Sequence, residues 1–333
     1  TGSYLPEHVI DNETITQIIG IKDSDWLVRR TGVETRRFAS LIDPETGKAF
    51  SKVDELDMAE AAARAAIENA SIDPDDIRGI WYVTCTAPPD QIRFSQMAIR
   101  LKGRLGLNED CYACQIDSGC GGIMIATSMA HDMILGDTKE TVLIVASNAT
   151  SPWLDVKLYR ETGAWLSPYL FGDGAGAMVL QKTPKNGRGI QGTYYSADAS
   201  HPLMYFRDKS AQPFEFGSPV FDIDVHAVSD AYAAFMGKAI QKLAVKCPFN
   251  IEEVDRFYFH QANRRLIEHF ATALGAPLDR VAINVHRYGN LSAASTLVLL
   301  DEDRRNGVIN EGQTALFCAV GAGIHYGAFL VRF

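Results

Sequence analysis

Apolar positions along the chain follow two rhythms. Runs rich in Val, Ile, Phe and Tyr, namely IRGIWYVTCTA (77–87), CYACQIDS (111–118) and TVLIVASN (141–148), read as strands. Between them FSQMAIRLKGRLG (94–106) and the stretch after Cys120 carry helical spacing. The alternation predicts an α/β fold with a mostly parallel sheet. The order then repeats: EVDRFYFHQAN (253–263), RRLIEHFATALG (264–275), VAINVHRYGN (281–290), LSAASTLVLLDEDRRNG (291–307) and TALFCAVGAG (314–323). In register, Trp81 falls on Phe257, Leu105-Gly106 on Leu274-Gly275, Cys111 on Val281 and Cys120 on Asn290. This pattern implies an internal duplication with halves 1–182 and 183–333. TPKNGRGIQG (183–192) and the stretch from Ser200 to Ser218 read as linker and surface loop. LIDPETGKAFSKVDE (41–55) reads as a polar loop ahead of the helix LDMAEAAARAAIENA (56–70).

At 333 residues and 47% hydrophobic content the chain can bury a sizeable core. Lys plus Arg number 32 against 41 Asp plus Glu, a formal charge of -9, which argues against general nucleic-acid binding. No run of eighteen apolar residues occurs, and TGSYLPEHVIDN lacks the basic and apolar regions of a signal peptide, so no membrane association is expected. The six cysteines fall mostly in apolar runs of a chain too large to need staples; reduced thiols and a cytoplasmic location are expected.

The stretch QIDSGCGGIMIATSMAHDMI (115–134) sets Cys120 among glycines at a seam between strand and helix. A thiol at a helix start feels unsatisfied N–H groups that favour the thiolate, and the glycines would let a bulky electrophile approach. Carboxyl ends of parallel strands gather sites, so His260, Asn290 and Cys120 are expected in one crevice. Imidazole and carboxamide could then both donate to an oxyanion or enolate, which suits carbon–carbon bond formation on a thioester as well as hydrolysis. CYAC has the spacing of zinc and redox sites, but residues three apart on a strand point to opposite faces, so no metal is expected. FGDGAGAMVL (171–180) leads into a strand rather than a helix, which removes the phosphate-cradling terminus; tight backbone packing at Gly172, Gly174 and Gly176 is expected instead.

Together DSDWLVRRTGVETRR, DSGCGG, FGDGAGAMVL, HQANRRLI, RYGNLSAAS and GAGIHYGAFLVRF closely resemble the β-ketoacyl-acyl carrier protein synthase III family of the thiolase superfamily. The resemblance covers nearly the whole chain. It implies a thiolase-like fold: duplicated β-α-β-α-β halves with mixed sheets in an α-β-α-β-α layering. Cys120 would carry the acyl group, His260 and Asn290 would stabilise the extender's enolate, and the backbone N–H groups of Cys120 and Ala322 would hold the oxyanion. Trp26 matches a tryptophan at the mouth of the pantetheine tunnel, and Asn263 and Val320 match substrate-pocket positions. Phe94 matches a phenylalanine that reaches into the partner subunit, implying a homodimer. Arg265, with Arg264, matches the basic site that docks acyl carrier protein. No bound cofactor is implied, only phosphopantetheine-linked substrates on carrier protein or coenzyme A.

Four departures stand out. The family's adenine-clamping arginine has no counterpart in YRETGAWLSPYL (159–170), where Trp165 falls in its place. Val320 replaces a large aromatic, implying a roomier pocket, and Ala322 replaces a glycine. Tyr288 replaces a histidine. These differences turn the expectation toward carrier-fed condensation in polyketide or other secondary metabolism. Fatty-acid initiation from acyl-coenzyme A, acyl transfer to a hydroxyl or amine, and a non-catalytic binding module stay open as alternatives.

Overall fold

The computed structural model describes residues 1–20, 23–43, 46–88, 91, 93–136, 140–154, 166–183, 187–200, 204–207, 220–223 and 225–333. The first half contains strands β1 (Gly2–Tyr4), β2 (Val9–Asp11), β3 (Thr35–Arg37), β4 (Ser40–Ile42), β5 (Ala49–Ser51), β6 (Gly79–Val83), β7 (Tyr112–Ile116), β8 (Thr141–Asn148) and β9 (Gly174–Gln181). Its helices are α1 (Asn12–Ile19), α2 (Ser24–Thr31), α3 (Glu55–Ala70), α4 (Gln96–Leu105), α5 (Gly122–Leu135) and the short α6 (Leu166–Leu170). The second half contains β10 (Gly189–Ala197), β11 (Met204–Arg207), β12 (Val220–Ile223), β13 (Arg256–Phe259), β14 (Thr314–Gly321) and β15 (His325–Arg332). Its helices are α7 (Val225–Lys246), α8 (Arg264–Leu274), α9 (Val285–Tyr288) and α10 (Ala294–Arg305).

Two mixed sheets result, ordered β1-β9-β8-β6-β7 and β10-β15-β14-β13. In each, one strand pairs in parallel on both sides: on β6 Trp81 lies opposite Cys114 and Ile144, and on β13 Phe257 lies opposite Leu316 and, at an isolated bridge, Val281. Side-chain alternation sets the layers. Ile80 and Tyr82 face an outer core with α3 and α4, whereas Trp81 and Val83 face a middle core with α5 and α10. On the second sheet Tyr258 and Phe317 face that middle core, and Phe257, Phe259 and Leu316 pack outward on α7 and α8. This is the α-β-α-β-α thiolase-like layering. The helix ends match as well: α4 and α8 both stop at a left-handed glycine, Gly106 (φ 66°) and Gly275 (φ 79°).

Several local expectations need correction. VAINVHRYGN is no strand: Val281 makes one bridge to Phe257, and the chain then turns through α9. Its apolar alternation at Val281, Ile283 and Val285 imitates a strand, but the buried Gln261 captures the backbone. Gln261 Oε1 accepts from Asn284 N (3.1 Å) and Val285 N (3.3 Å), and its amide donates to Phe259 O (2.9 Å) and Ala282 O (3.1 Å). The stretch 41–55 holds the hairpin β4–β5, the linker's GIQG opens β10, and the stretch from Ser200 to Ser218 contains β11. Trp165 lies outside the described residues. Among the described residues, no helix is long and apolar enough to cross a membrane, and no group of three His, Cys, Asp or Glu is placed to hold a metal. No disulfide joins the six cysteines.

Candidate active site

Cys120 occupies the middle of a 3₁₀ turn, Gly119–Gly121, that leads from β7 into α5. Its glycines do not open a space for substrate, as their position suggested. A Cβ at Gly121 would stand 2.6 Å from the His325 carbonyl oxygen, and one at Gly122 would stand 2.5 Å from Val83 Cγ1. Gly321 is equally confined, with its would-be Cβ 2.8 Å from Cys120 N. The glycines let the Cys120 turn press against the β14–β15 turn of the other half. A Cβ at Gly119 would stand 3.4 Å from Ala322 N, so that N–H lies close to the turn.

Asn290 follows α9 and is buried; its main chain is fixed by Asn290 N to Leu170 O (2.8 Å) and Gly172 N to Asn290 O (3.2 Å). Ser292 N donates to Asn290 Oδ1 at 2.8 Å. With the oxygen so engaged, the carboxamide is left its NH₂ to turn toward Cys120, whose pKa it lowers. Gly172 permits this arrangement: a Cβ there would lie 2.0 Å from Tyr288 O. Gly174 and Gly176 are likewise crowded, by Tyr4 O and Leu297, as the strand reading of FGDGAGAMVL anticipated.

His260 follows β13, with its N–H on Cys318 O (2.9 Å) and its carbonyl accepting from Tyr232 OH (2.5 Å). Burial lowers its pKa to about 3, so the imidazole is neutral at physiological pH. Strand order puts it beside the end of β14, whose turn touches Cys120. Among the described residues, a hydrogen bond joins Cys120 Sγ to Ser292 Oγ (3.4 Å), and none joins His260 to Cys120. The thiol is also unlike the helix-end expectation. Burial raises the Cys120 pKa, against lowering by hydrogen bonds from Ser292, its own backbone and Asn290.

The remaining sequence-named residues are spread over several elements. Trp26 on α2 is 36% exposed with the Arg30 guanidinium over its ring at 5.2 Å. Asn263 caps α8, its Oδ1 accepting from Leu266 N (2.9 Å), so its oxygen is spent on the helix. Arg264 pairs with Glu268 (2.7 Å), and Arg265 donates to Arg29 O (3.3 Å). Val320 is buried on β14 opposite Tyr326. Phe94 is 84% exposed with a left-handed φ of 59°. Tyr288 hydrogen-bonds Glu302 (2.7 Å), which gives the residue in the histidine's place a structural partner.

Sequence reasoning missed Ser292, whose Oγ lies 3.4 Å from Cys120 Sγ and 3.8 Å from Cys85 Sγ. Its place two residues after Asn290 was the available signal. Buried Glu55 was missed too: it accepts from Thr84, from Ser147 (2.6 Å) and from Thr86 (3.1 Å). Buried Arg36 was also missed. It donates to Tyr169 O (3.0 Å) and holds α6; burial lowers its pKa to about 10.

A cysteine turn wedged between two duplicated, doubly layered halves defines a thiolase-like condensing enzyme. Residues 245–333 match the family model for the C-terminal region of 3-oxoacyl-[acyl-carrier-protein] synthase III, and residues 114–199 match the model for 3-oxoacyl-[acyl-carrier-protein] synthase III. The β-ketoacyl-[acyl-carrier-protein] synthase III of Methylococcus capsulatus is 32% identical over 100% of this chain and 97% of its own. The 3-oxoacyl-[acyl-carrier-protein] synthase III structure from Aquifex aeolicus is 28% identical, covers 100% of this chain and 98% of its own, and superposes with a TM-score of 0.83. The priming β-ketosynthase of a polyketide biosynthetic pathway is 27% identical, covers 99% and 94%, and gives a TM-score of 0.81. The chain belongs to the β-ketoacyl-acyl carrier protein synthase III family.

Proposed function

We propose that this ketosynthase forms a carbon–carbon bond by Claisen-type condensation of phosphopantetheine-linked acyl thioesters, with Cys120 as the acyl carrier. The observation that carries the reading is the turn that joins the two segments: Ser292 Oγ lies 3.4 Å from the buried Cys120 Sγ while Ser292 N holds Asn290 Oδ1, which leaves the Asn290 NH₂ to donate. The neutral His260 takes the Cys120 proton as sulfur attacks the thioester carbonyl. The departing pantetheine thiolate receives a proton, and the acyl group stays on Cys120. His260 and Asn290 then hold the carbonyl oxygen of a malonyl-type extender, which becomes an enolate as the carbon–carboxylate bond breaks and carbon dioxide leaves, and the enolate carbon attacks the acyl-enzyme. The N–H groups of Cys120 and Ala322 hold the resulting oxyanion until the carbon–sulfur bond breaks and frees Cys120. Acyl carrier protein docks at Arg265 and Arg264 beside Trp26, and Phe94 enters the partner's pocket in a homodimer.

The enzyme is fed by carrier protein, in polyketide or other secondary metabolism. Intact-protein mass spectrometry with matched acyl groups on coenzyme A and on carrier protein tests this. An adduct formed from the carrier and lost in Cys120→Ala is expected. Rapid labelling from coenzyme A would instead favour fatty-acid initiation, and labelling that survives Cys120→Ala would overturn Cys120 as nucleophile.

A further inference from the structure

Two thiols share one hydroxyl at the site. Ser292 Oγ lies 3.4 Å from Cys120 Sγ and 3.8 Å from Cys85 Sγ, both within reach of a sulfur hydrogen bond. Cys85 comes two residues after the end of β6, and Cys120 follows the adjacent parallel strand β7. Ser292 is 3% exposed and held by a left-handed φ of 52°, with its N–H on Asn290 Oδ1. A non-glycine residue keeps that backbone only where its surroundings fix it. Its hydroxyl is thus aimed by the same turn that aims Asn290.

We propose that Ser292 is a catalytic residue donating to the Cys120 thiolate, and that Cys85 is a positioning residue whose S–H donates to Ser292, completing a one-way relay. A hydroxyl has one proton. While Cys120 is a thiol it can itself donate to Ser292 Oγ. Once it is a thiolate it can only accept, so Ser292 must turn its proton toward it, and Oγ is left to accept from Cys85. The relay works only if Cys85 keeps its proton. Its surroundings ensure this: the half-buried sulfur is poorly solvated, a charge on Cys120 would oppose its own, Asp117 lies nearby, and Glu55 stands beyond Thr84 and Thr86, all of which push its pKa up. The two sulfurs therefore have distinct tasks set by place. Among the described residues, the charged or titratable groups that act on Cys85 are Cys120, Glu55 on α3 and Asp117 after β7, and Asp117 is in turn influenced by His325 on β15.

The inference rests on Cys120 being the nucleophile, so its test separates the two ideas. The rate of Cys120 alkylation by iodoacetamide is followed against pH by peptide mass spectrometry in the wild-type protein, Ser292→Ala, Cys85→Val and Cys85→Ser. Ser292→Ala is expected to move the profile up by about one pH unit, about a tenfold slower rate at fixed pH. Cys85→Val is expected to slow it about threefold, and Cys85→Ser, which restores an O–H donor, to recover the wild-type profile. A packing role alone would not produce that recovery. An unchanged profile in Ser292→Ala overturns the donor, and an unchanged profile in Cys85→Val overturns the relay. If Ser292→Ala does not fold, the Cys85 pair decides. Wild-type Cys120 that never alkylates defeats the nucleophile itself, an outcome distinct from either.

Discussion

The two halves deliver their chemistry from the same topological slot in different ways. In the first, β7 runs beside β6 from Tyr112 to Ile116 before the chain turns at Cys120. In the second, the equivalent stretch meets β13 at Val281 alone. The preceding turns close alike, Cys111 N on Asn108 O and Val281 N on Leu278 O. However, Trp81 faces Cys114 whereas Phe257 faces Val281, so the second chain passes its central strand three residues sooner. Side chains replace the missing ladder: Gln261 binds four backbone groups, and Glu302 accepts from Asn284 Nδ2 (3.1 Å) and Tyr288 OH (2.7 Å). The difference teaches that a β-ladder fixes the Cys120 turn, which must fit tightly between halves, whereas a side-chain scaffold fixes the turn that orients the Asn290 amide.

The most severe way to break this comparison is to empty the second slot. Asn290→Ala is expected to lower condensation about 10²–10³-fold while the Cys120 adduct still forms, read by product assay beside intact mass. Next comes the scaffold. Gln261→Leu strands two buried N–H groups and two carbonyls, and should cost about 3 kcal/mol in urea unfolding. On β7 the ladder to β6 is main-chain, and a side chain meets it at Gln115 N, which donates to Ser95 Oγ (3.2 Å), so Ser95→Ala should cost less than Gln261→Leu.

Smaller still is a pH effect confined to the second half. His260 has a folded pKa of about 3 against an ordinary 6.5, so below 6.5 the unfolded chain takes up a proton that the folded one refuses. Stability from this group is full above pH 6.5 and falls by about 1.4 kcal/mol per unit as pH drops toward 3. Denaturation midpoints at pH 7 and pH 5 check it, and His260→Gln should flatten that part of the slope. Least of all, Tyr288→Phe removes one bond to Glu302 and should cost about 1 kcal/mol by thermal unfolding.

Much of this was legible in sequence because it depends on local periodicity. Strand alternation at Ile80–Val83 and Phe257–Phe259, the Leu-Gly helix ends and the Cys120 seam were all marked by residues close together in the chain. VAINVHRYGN misled because alternation cannot reveal that Gln261, some twenty residues earlier, competes for the same N–H groups. The glycines around Cys120 were recognised as special, but the reason was misassigned: the carbonyl of His325 and the methyl of Val83 that exclude a side chain come from elsewhere in the fold.

The sequence by itself determined two layered halves, the strand-end seams and which residues could do chemistry, since hydrophobic period and turn chemistry act over a few residues. Only the tertiary structure decided that Cys120 is buried and meets Asn290, that His260 is neutral, and that Ser292 stands between two thiols. Those properties arise from desolvation and hydrogen bonds between segments about 170 residues apart, and no local pattern encodes the distance between them.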